Sequence, residues 1–270
     1  MIVDDASTDN SDYVYKKYGN YSQVRVFIND KNKGCGFTKR KCVEYAKGSI
    51  CGFVDADDAL SPEALDILVK EHQNHPEYSI IYSTHYICND KLEPQRVADY
   101  VGQIPDGLKS ITLSLPTISH FATFKRSKYK LTKGISEMYA RAVDKDLYYK
   151  LEETGPVLFV DRPLYLYRHH AGSISLNSQT RKAHYYELTA KVLALFRQGE
   201  ARKRLKDLPH SSSQLMGGVI NVAFYEIKKW HFFISFGLLL KLFLFPPSDI
   251  IKFVLEKGIQ LWRVRSHLSR

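Results

Sequence analysis

Val54-Asp55-Ala56-Asp57-Asp58-Ala59-Leu60 follows the apolar run Ile50-Cys51-Gly52-Phe53-Val54 and precedes Ser61-Pro62-Glu63. The run predicts a strand over 50–54. Ser at an N-cap with Pro at the first helical position predicts a helix over 62–75. Three carboxylates therefore gather where a strand ends. Like charges repel, so their crowding makes most sense with a cation between them. Oxygen-only ligands favour Mg²⁺ or Mn²⁺ over zinc. The competing reading is a solvated loop whose first Asp caps the following helix.

Upstream, Ile2-Val3 runs into Asp4-Asp5-Ala6-Ser7-Thr8-Asp9-Asn10-Ser11, a stretch of turn and cap formers, and then a helical pattern over 13–18. A β-type run over 24–28 ends in Asn29-Asp30-Lys31-Asn32-Lys33-Gly34-Cys35-Gly36, and a helix is predicted over 38–47, closed by Gly48. Downstream of the acidic loop and its helix, another strand is predicted over 79–86. Strands alternating with helices define an α/β domain with a largely parallel sheet. Ligands of such sheets bind beyond the carboxyl ends of the strands, where both Asp4-Asp5 and Asp55/Asp57/Asp58 fall.

Composition sets the outer bounds. At 270 residues with 44% hydrophobic side chains, the chain can bury one large or two modest domains. Cys35, Cys42, Cys51 and Cys88 form no C-x-x-C pair, which favours a reduced, intracellular setting and argues against zinc. Of the net charge of +10, residues 197–270 carry +8, with 13 Lys/Arg against 5 Asp/Glu. Eighteen tyrosines are scattered without an RNA-binding signature, so nucleic acid is not an expected partner. Met1-Ile2-Val3-Asp4-Asp5 does not read as a signal peptide, which needs a positive leader and an apolar region.

Between 86 and 121 the pattern weakens around Pro94, Pro105 and Pro116, and this stretch reads as loops and short elements on an acceptor side, with a strand possible over 119–124. Val143-Asp144-Lys145-Asp146-Leu147 begins a helix near Asp144, with acids in its first turn. Asp144 is either a cap or a functional acid. Asp146, two residues on, faces a different side. A strand is predicted over 158–160, followed by Leu164-Tyr165-Leu166-Tyr167-Arg168-His169-His170-Ala171-Gly172-Ser173-Ile174-Ser175.

These segments together resemble the family 2 glycosyltransferases of the GT-A fold. Ile2-Val3-Asp4-Asp5-Ala6-Ser7-Thr8-Asp9 is similar to the family's V-D-D-x-S-x-D segment, which implies that Asp4, Asp5 and Ser7 contact the nucleotide of a sugar donor. Asn32 to Arg40 resembles its glycine-bearing segment before a basic helix, which implies donor contacts for Gly34 and Arg40; Lys41 stands where many members carry Asn. The D-A-D-D run resembles the family's D-x-D motif, which implies that Asp55 holds the sugar nucleotide and Asp57 a divalent metal. By the same resemblance Asp144 is the catalytic base, and His170, from a Y-R-x-H-x-x-S ending, approaches the metal or the diphosphate. The likeness extends to about residue 175. It also implies an additional strand and helix ahead of Met1. The chain therefore reads as N-terminally incomplete, with low solubility and little transferase activity expected of it alone.

Beyond 178 the likeness ends, which divides the chain into a catalytic domain over 1–178 and a helical region over 179–270. Leu188, Val192, Leu195 and Phe196 form a helical stripe, and a helical style continues over 219–227. Residues 232–245 are largely apolar, but 14 residues of helix rise about 21 Å against a hydrocarbon core of roughly 30 Å. After Pro246-Pro247, Lys252, Glu256, Gln260, Arg263 and His267 form one polar stripe of an amphipathic helix. Packing on the catalytic domain and lying on an anionic membrane both suit it, and the charge favours the membrane. The expected protein is a glycosyltransferase at the inner face of the cell membrane. It would use Mn²⁺ or Mg²⁺ and a nucleotide-sugar donor, a UDP-sugar first, with a glycan or lipid-linked acceptor, in bacterial surface polysaccharide synthesis. The rival is a non-catalytic domain that keeps the motifs without binding donor.

Overall fold

The computed structural model describes residues 1–113, 117–170, 180–199, 216–217 and 219–220. It divides into two compact units, Met1–Ala183 and His184–Arg270. In the first, β1 (Ile2–Asp4) pairs in parallel with β2 (Val26–Ile28), with α1 (Ser11–Tyr18) between them. Then come α2 (Cys35–Tyr45), β3 (Ile50–Gly52), β4 (Ala59–Leu60), α3 (Ala64–Asn74), β5 (Ile80–Cys88), β6 (Pro94–Val97) and β7 (Ala122–Lys125). A short helix α4 (Arg126–Lys130), α5 (Val143–Glu152) and β8 (Val157–Arg168) complete it.

The larger sheet has the order β3-β7-β5-β8-β4, with β6 beside β5. β5 and β8 are parallel; β3–β7, β5–β7, β4–β8 and β5–β6 are antiparallel. The α/β class thus stands, with its parallel pairings in β1–β2 and β5–β8. β5 is central because Ile80-Ile81-Tyr82-Ser83-Thr84-His85 is buried without interruption, as a strand covered on both faces requires.

The elements depart from the sequence expectation where tertiary partners intervene. The strand predicted over 50–54 stops at Gly52, whose missing Cβ leaves room for Phe121: a methyl group there would lie 2.9 Å from the Phe121 ring. The strand predicted over 158–160 runs on to Arg168. Asp161-Arg162-Pro163 reads locally as a terminator, but the ladder with β5 shifts register near Ser83 and Thr84, and such a bulge accommodates a proline. This extension carries Tyr165, Tyr167 and Arg168 to the acidic loop.

The core under α3 joins Ala64 and Leu68 to Ile81, Phe121, Leu164 and Tyr165. Ala64, Leu68 and His72 recur every four residues, which turns one face of α3 onto the sheet. Full burial of Leu68 contributes about 2–3 kcal/mol. The second unit carries most of α6 (Thr180–Arg197), which buries the expected stripe at Leu188, Val192 and Leu195. Among the described residues no helix is long and apolar enough to cross a membrane. The expected Gly172–Ser175 ending, most of the 219–227 stretch, the 232–245 run and the amphipathic helix after Pro246-Pro247 lie outside the described residues.

Candidate active site

The acidic loop lies between β3 and β4, and the antiparallel pairing Ala59↔Leu166, Leu60↔Tyr165 fastens it to β8. Its three aspartates take three different partners. Asp58 accepts from the Tyr165 hydroxyl at 2.7 Å and from the Arg168 backbone N–H at 2.8 Å. Burial raises its pKa against these two bonds, and Asp57 adds to the rise. Asp58 is therefore an anchor for the loop. The Tyr165 oxygen also accepts the Asp55 N–H at 3.2 Å, while Arg168 Nε donates to the Asp57 carbonyl at 2.6 Å. One strand end thus sets the backbone of the whole loop.

With Asp58 tied down, the other two point elsewhere. Asp57 keeps its side chain 51% exposed, and its Oδ2 lies 3.0 Å from His170 Nε2. Asp55 Oδ1 receives Lys39 Nζ at 2.8 Å. Burial lowers the Lys39 pKa, but Asp55, the Cys35 thiol and Asp144 reverse that and hold the ammonium protonated. Asp144, at the head of α5, has its carboxyl raised by desolvation and lowered by more from Lys145, His120 and Lys39, which leaves it ionised at neutral pH. Partial enclosure raises the Cys35 thiol, whose surface stays open to solvent, and Asp55, Asp144 and Asp5 raise it further. Carboxylates from β1, the acidic loop and α5 thus converge on the head of α2.

The remaining expected residues are placed as follows. Asp5 Oδ1 accepts from Asn29 Nδ2 at 2.9 Å and from Lys33 N at 2.8 Å, and Oδ2 accepts from Gly34 N at 2.8 Å. Desolvation raises its pKa, and these donors lower it by more. Gly34, at φ 88° and ψ 161°, takes a positive-φ conformation that favours glycine at the start of α2. Asp4 is buried, and its Oδ1 is 2.5 Å from Ser7 Oγ and 3.2 Å from Ser7 N, so this pair closes its own loop. Arg40 turns away from the acidic loop to the Ile135 carbonyl at 3.1 Å and Glu44 at 3.2 Å. Asp4, Ser7 and Arg40, expected at the donor, are thus engaged in bonds within the protein.

Lys39 is the residue that the sequence reading missed, and helix phase could have found it. α2 begins at Cys35, so Lys39 at i+4 shares the Cys35 face while Arg40 lies about 100° away. Packing separates Asp144 from Asp146. Asp146 is 1% exposed and pairs with buried Lys150 at 2.5 Å, and Lys150 also donates to the Gly134 carbonyl at 2.8 Å.

Among the described residues no three His, Cys, Asp or Glu side chains group into a protein-only metal cage. A carboxylate and an imidazole 3.0 Å apart, both open to solvent, nonetheless suit a Mn²⁺-like ion that completes its shell from phosphate and water, whereas Mg²⁺ would use the carboxylate alone. Asp57 and His170 fit such an ion.

His85 is fully buried beneath this site, with Nδ1 3.1 Å from the His120 carbonyl and Nε2 3.0 Å from the Tyr100 hydroxyl. A carbonyl only accepts, so Nδ1 carries the proton and Nε2 receives the Tyr100 O–H. Burial, with help from His120, lowers the His85 pKa to about 4 from the ordinary 6.5. Its neutral burial therefore favours the fold fully above pH 6.5, and that contribution is lost as pH falls from 6.5 through about 4. Between pH 7 and pH 5 this residue should remove about 2 kcal/mol of stability by linkage. Urea unfolding at the two pH values checks it: His85→Gln should lose correspondingly less stability over the interval, and an equal loss would remove His85 as the cause.

An acidic loop crossed by the end of β8, with a carboxylate at the head of α5, is the arrangement expected of a glycosyltransferase of the GT-A fold. The chain belongs to glycosyl transferase family 2, whose model matches residues 1–136. It is 30% identical over 165 residues to a chondroitin synthase of Escherichia coli, covering 61% of this chain and 24% of that protein. To a hyaluronan synthase of Pasteurella multocida it is 29% identical over 165 residues, covering 61% and 17%. The chain thus spans less than a quarter of these relatives' length. Among solved structures, S. aureus TarS superposes with a TM-score of 0.59 at 17% identity over 89% of this chain and 70% of that one. TarS in complex with UDP-GlcNAc gives 0.55 at 15% identity over 82% and 71%. At these identities the likeness establishes the fold.

Proposed function

We propose that this glycosyltransferase moves a sugar from a nucleotide-sugar donor, a UDP-sugar first, to an acceptor hydroxyl with inversion. The observation that carries the reading is the Lys39–Asp55 ion pair at 2.8 Å beside the acidic loop, with the carboxylate of Asp144 near enough to favour the Lys39 ammonium as well. The structural neighbour's complexes with UDP-GlcNAc and UDP support a UDP donor. Asp144 would take the acceptor hydroxyl's proton while that oxygen attacks the anomeric carbon and the nucleoside diphosphate departs from the opposite face. One displacement inverts the centre, with no covalent sugar on the protein. Lys39 would orient Asp55 toward the donor sugar. Asp57 and His170 would hold a Mn²⁺ or Mg²⁺ ion, which supplies charge neutralisation for the departing diphosphate.

Thermal shift with a panel of nucleotide sugars and Mn²⁺ tests this. A bound donor at 100 times its Kd stabilises by about 2.7 kcal/mol. A UDP-sugar should raise Tm and release UDP when acceptor is added; no shift with any nucleotide sugar would overturn the reading. The likeness to chondroitin and hyaluronan synthases supports a glycan acceptor and a role in bacterial surface polysaccharide synthesis.

The basic C-terminal quarter, with its apolar 232–245 run, supports peripheral attachment to an anionic membrane on the cytoplasmic side. Liposome co-sedimentation should be strong with acidic lipid and fall as salt is raised. Unchanged binding after removal of residues 230–270 would exclude the segment.

A further inference from the structure

Beside the carboxylates lies a set of rings that the proposed chemistry does not use. His120 stacks on Tyr165 with centroids 5.0 Å apart and planes at 15°, and on Tyr167 at 5.5 Å and 25°. Tyr167 meets His169 edge-on at 5.0 Å, and His85 meets both Tyr100 and Tyr167 edge-on at 5.6 and 5.8 Å. Tyr165 is fully buried and belongs to the core, whereas Tyr100, His120, Tyr167 and His169 are only half-buried. The wall therefore runs from the core out to solvent.

Its position follows from the backbone. Tyr165 and Tyr167 lie in the stretch of β8 that fastens the acidic loop. At the other side, Lys145 Nζ donates to the Ile118 carbonyl at 2.5 Å and ties the head of α5 to the segment carrying His120. The wall thus stands between Asp58 and the turn that presents Asp144. Buried His85 fixes it from behind, holding the His120 main chain through Nδ1–H and the Tyr100 hydroxyl through Nε2. A fully satisfied buried polar group of this kind rigidifies what it holds.

We infer that Tyr100, His120 and Tyr167 form a stacking subsite for a pyranose ring of the acceptor, which turns one hydroxyl of that sugar toward Asp144. The inference rests on the transferase reading above. A pyranose offers a face of C–H groups and a rim of hydroxyls, and an aromatic ring with a polar edge matches both. Ligand pockets commonly combine such rings with a few placed polar groups.

Saturation-transfer NMR on the full 270-residue chain tests the subsite, with UDP plus diamagnetic Mg²⁺ and, separately, the methyl β-pyranosides of glucose, galactose and N-acetylglucosamine as probes. At least one pyranoside should bind through its ring C–H face. Tyr100→Leu and Tyr167→Leu should each weaken it roughly two- to tenfold, the worth of one aromatic contact, with UDP binding unchanged. Tyr100→Phe, which keeps the ring, should retain most of it. No pyranoside binding beside normal UDP binding, or equal pyranoside affinity in both Leu variants, would overturn the subsite and leave the donor reading standing. Loss of UDP binding in the parent chain with ring-dependent pyranoside binding intact would instead sink the donor reading and keep the subsite.

Discussion

Asp144→Asn is expected to lower turnover at least ~10²-fold while the Kd for donor stays within about twofold, since general-base catalysis is worth that order. Asp144 is held ionised by Lys145, His120 and Lys39 against desolvation, so it is charged and ready to accept a proton at neutral pH. Asn keeps the size and the helix-head position but cannot take a proton. The neighbouring acid provides the control. Asp146→Asn removes the partner of buried Lys150, and breaking a buried pair costs about 3–5 kcal/mol, so that variant should lose stability instead of chemistry. Steady-state kinetics with donor calorimetry and urea unfolding separate the two. If Asp146→Asn lowers turnover in a still-stable protein while Asp144→Asn does not, the base has been misassigned.

The contrast between these two acids was half legible in the sequence. Two residues on a helix lie about 200° apart, so it was clear that Asp144 and Asp146 face opposite ways, but not which way the core lay. That answer came from Lys150, the i+4 partner on the same helix, whose burial comes from the elements packed around it and is announced by no local pattern. Where the determinants are local the reading held in outline: the acidic run lies between a strand and a helix, although α3 begins at Ala64 without the side-chain cap expected from Ser61. It failed where a contact between distant segments decided the outcome. β8 passes through Asp161-Arg162-Pro163 because it bulges there and resumes its pairing with β5 at Pro163. The acidic loop takes its shape from Tyr165 and Arg168, more than 100 residues away in the chain, and neither residue type at those positions signals a carboxylate partner. The omission of Lys39 had a nearer cause. The helix predicted to begin at 38 begins at Cys35, and a three-residue error in its start hides which basic side chain shares the face of the site.

That placement of the loop leads to the second expected result: Asp57→Asn should weaken Mn²⁺-dependent UDP binding on the order of 10- to 100-fold, the range seen when groups around a metal are altered. The fold should survive the change. Asp57 is half exposed, and the bond that Arg168 makes to it uses the main-chain carbonyl, which Asn retains. The loop stays anchored through Asp58 and Tyr165. His170, 3.0 Å from Asp57, supplies a second and independent arm: His170→Gln should weaken the same affinity, and the double variant should lose less than the two single losses combined, since both act on one ion. The decisive comparison is made with and without metal. In EDTA the parent and both variants should bind UDP alike, because the difference among them resides in a cation that is then gone. Calorimetry that finds equal UDP affinity in parent and Asp57→Asn with Mn²⁺ present would sink the metal assignment. A gap between parent and variant that persists in EDTA would mean that Asp57 meets the nucleotide directly.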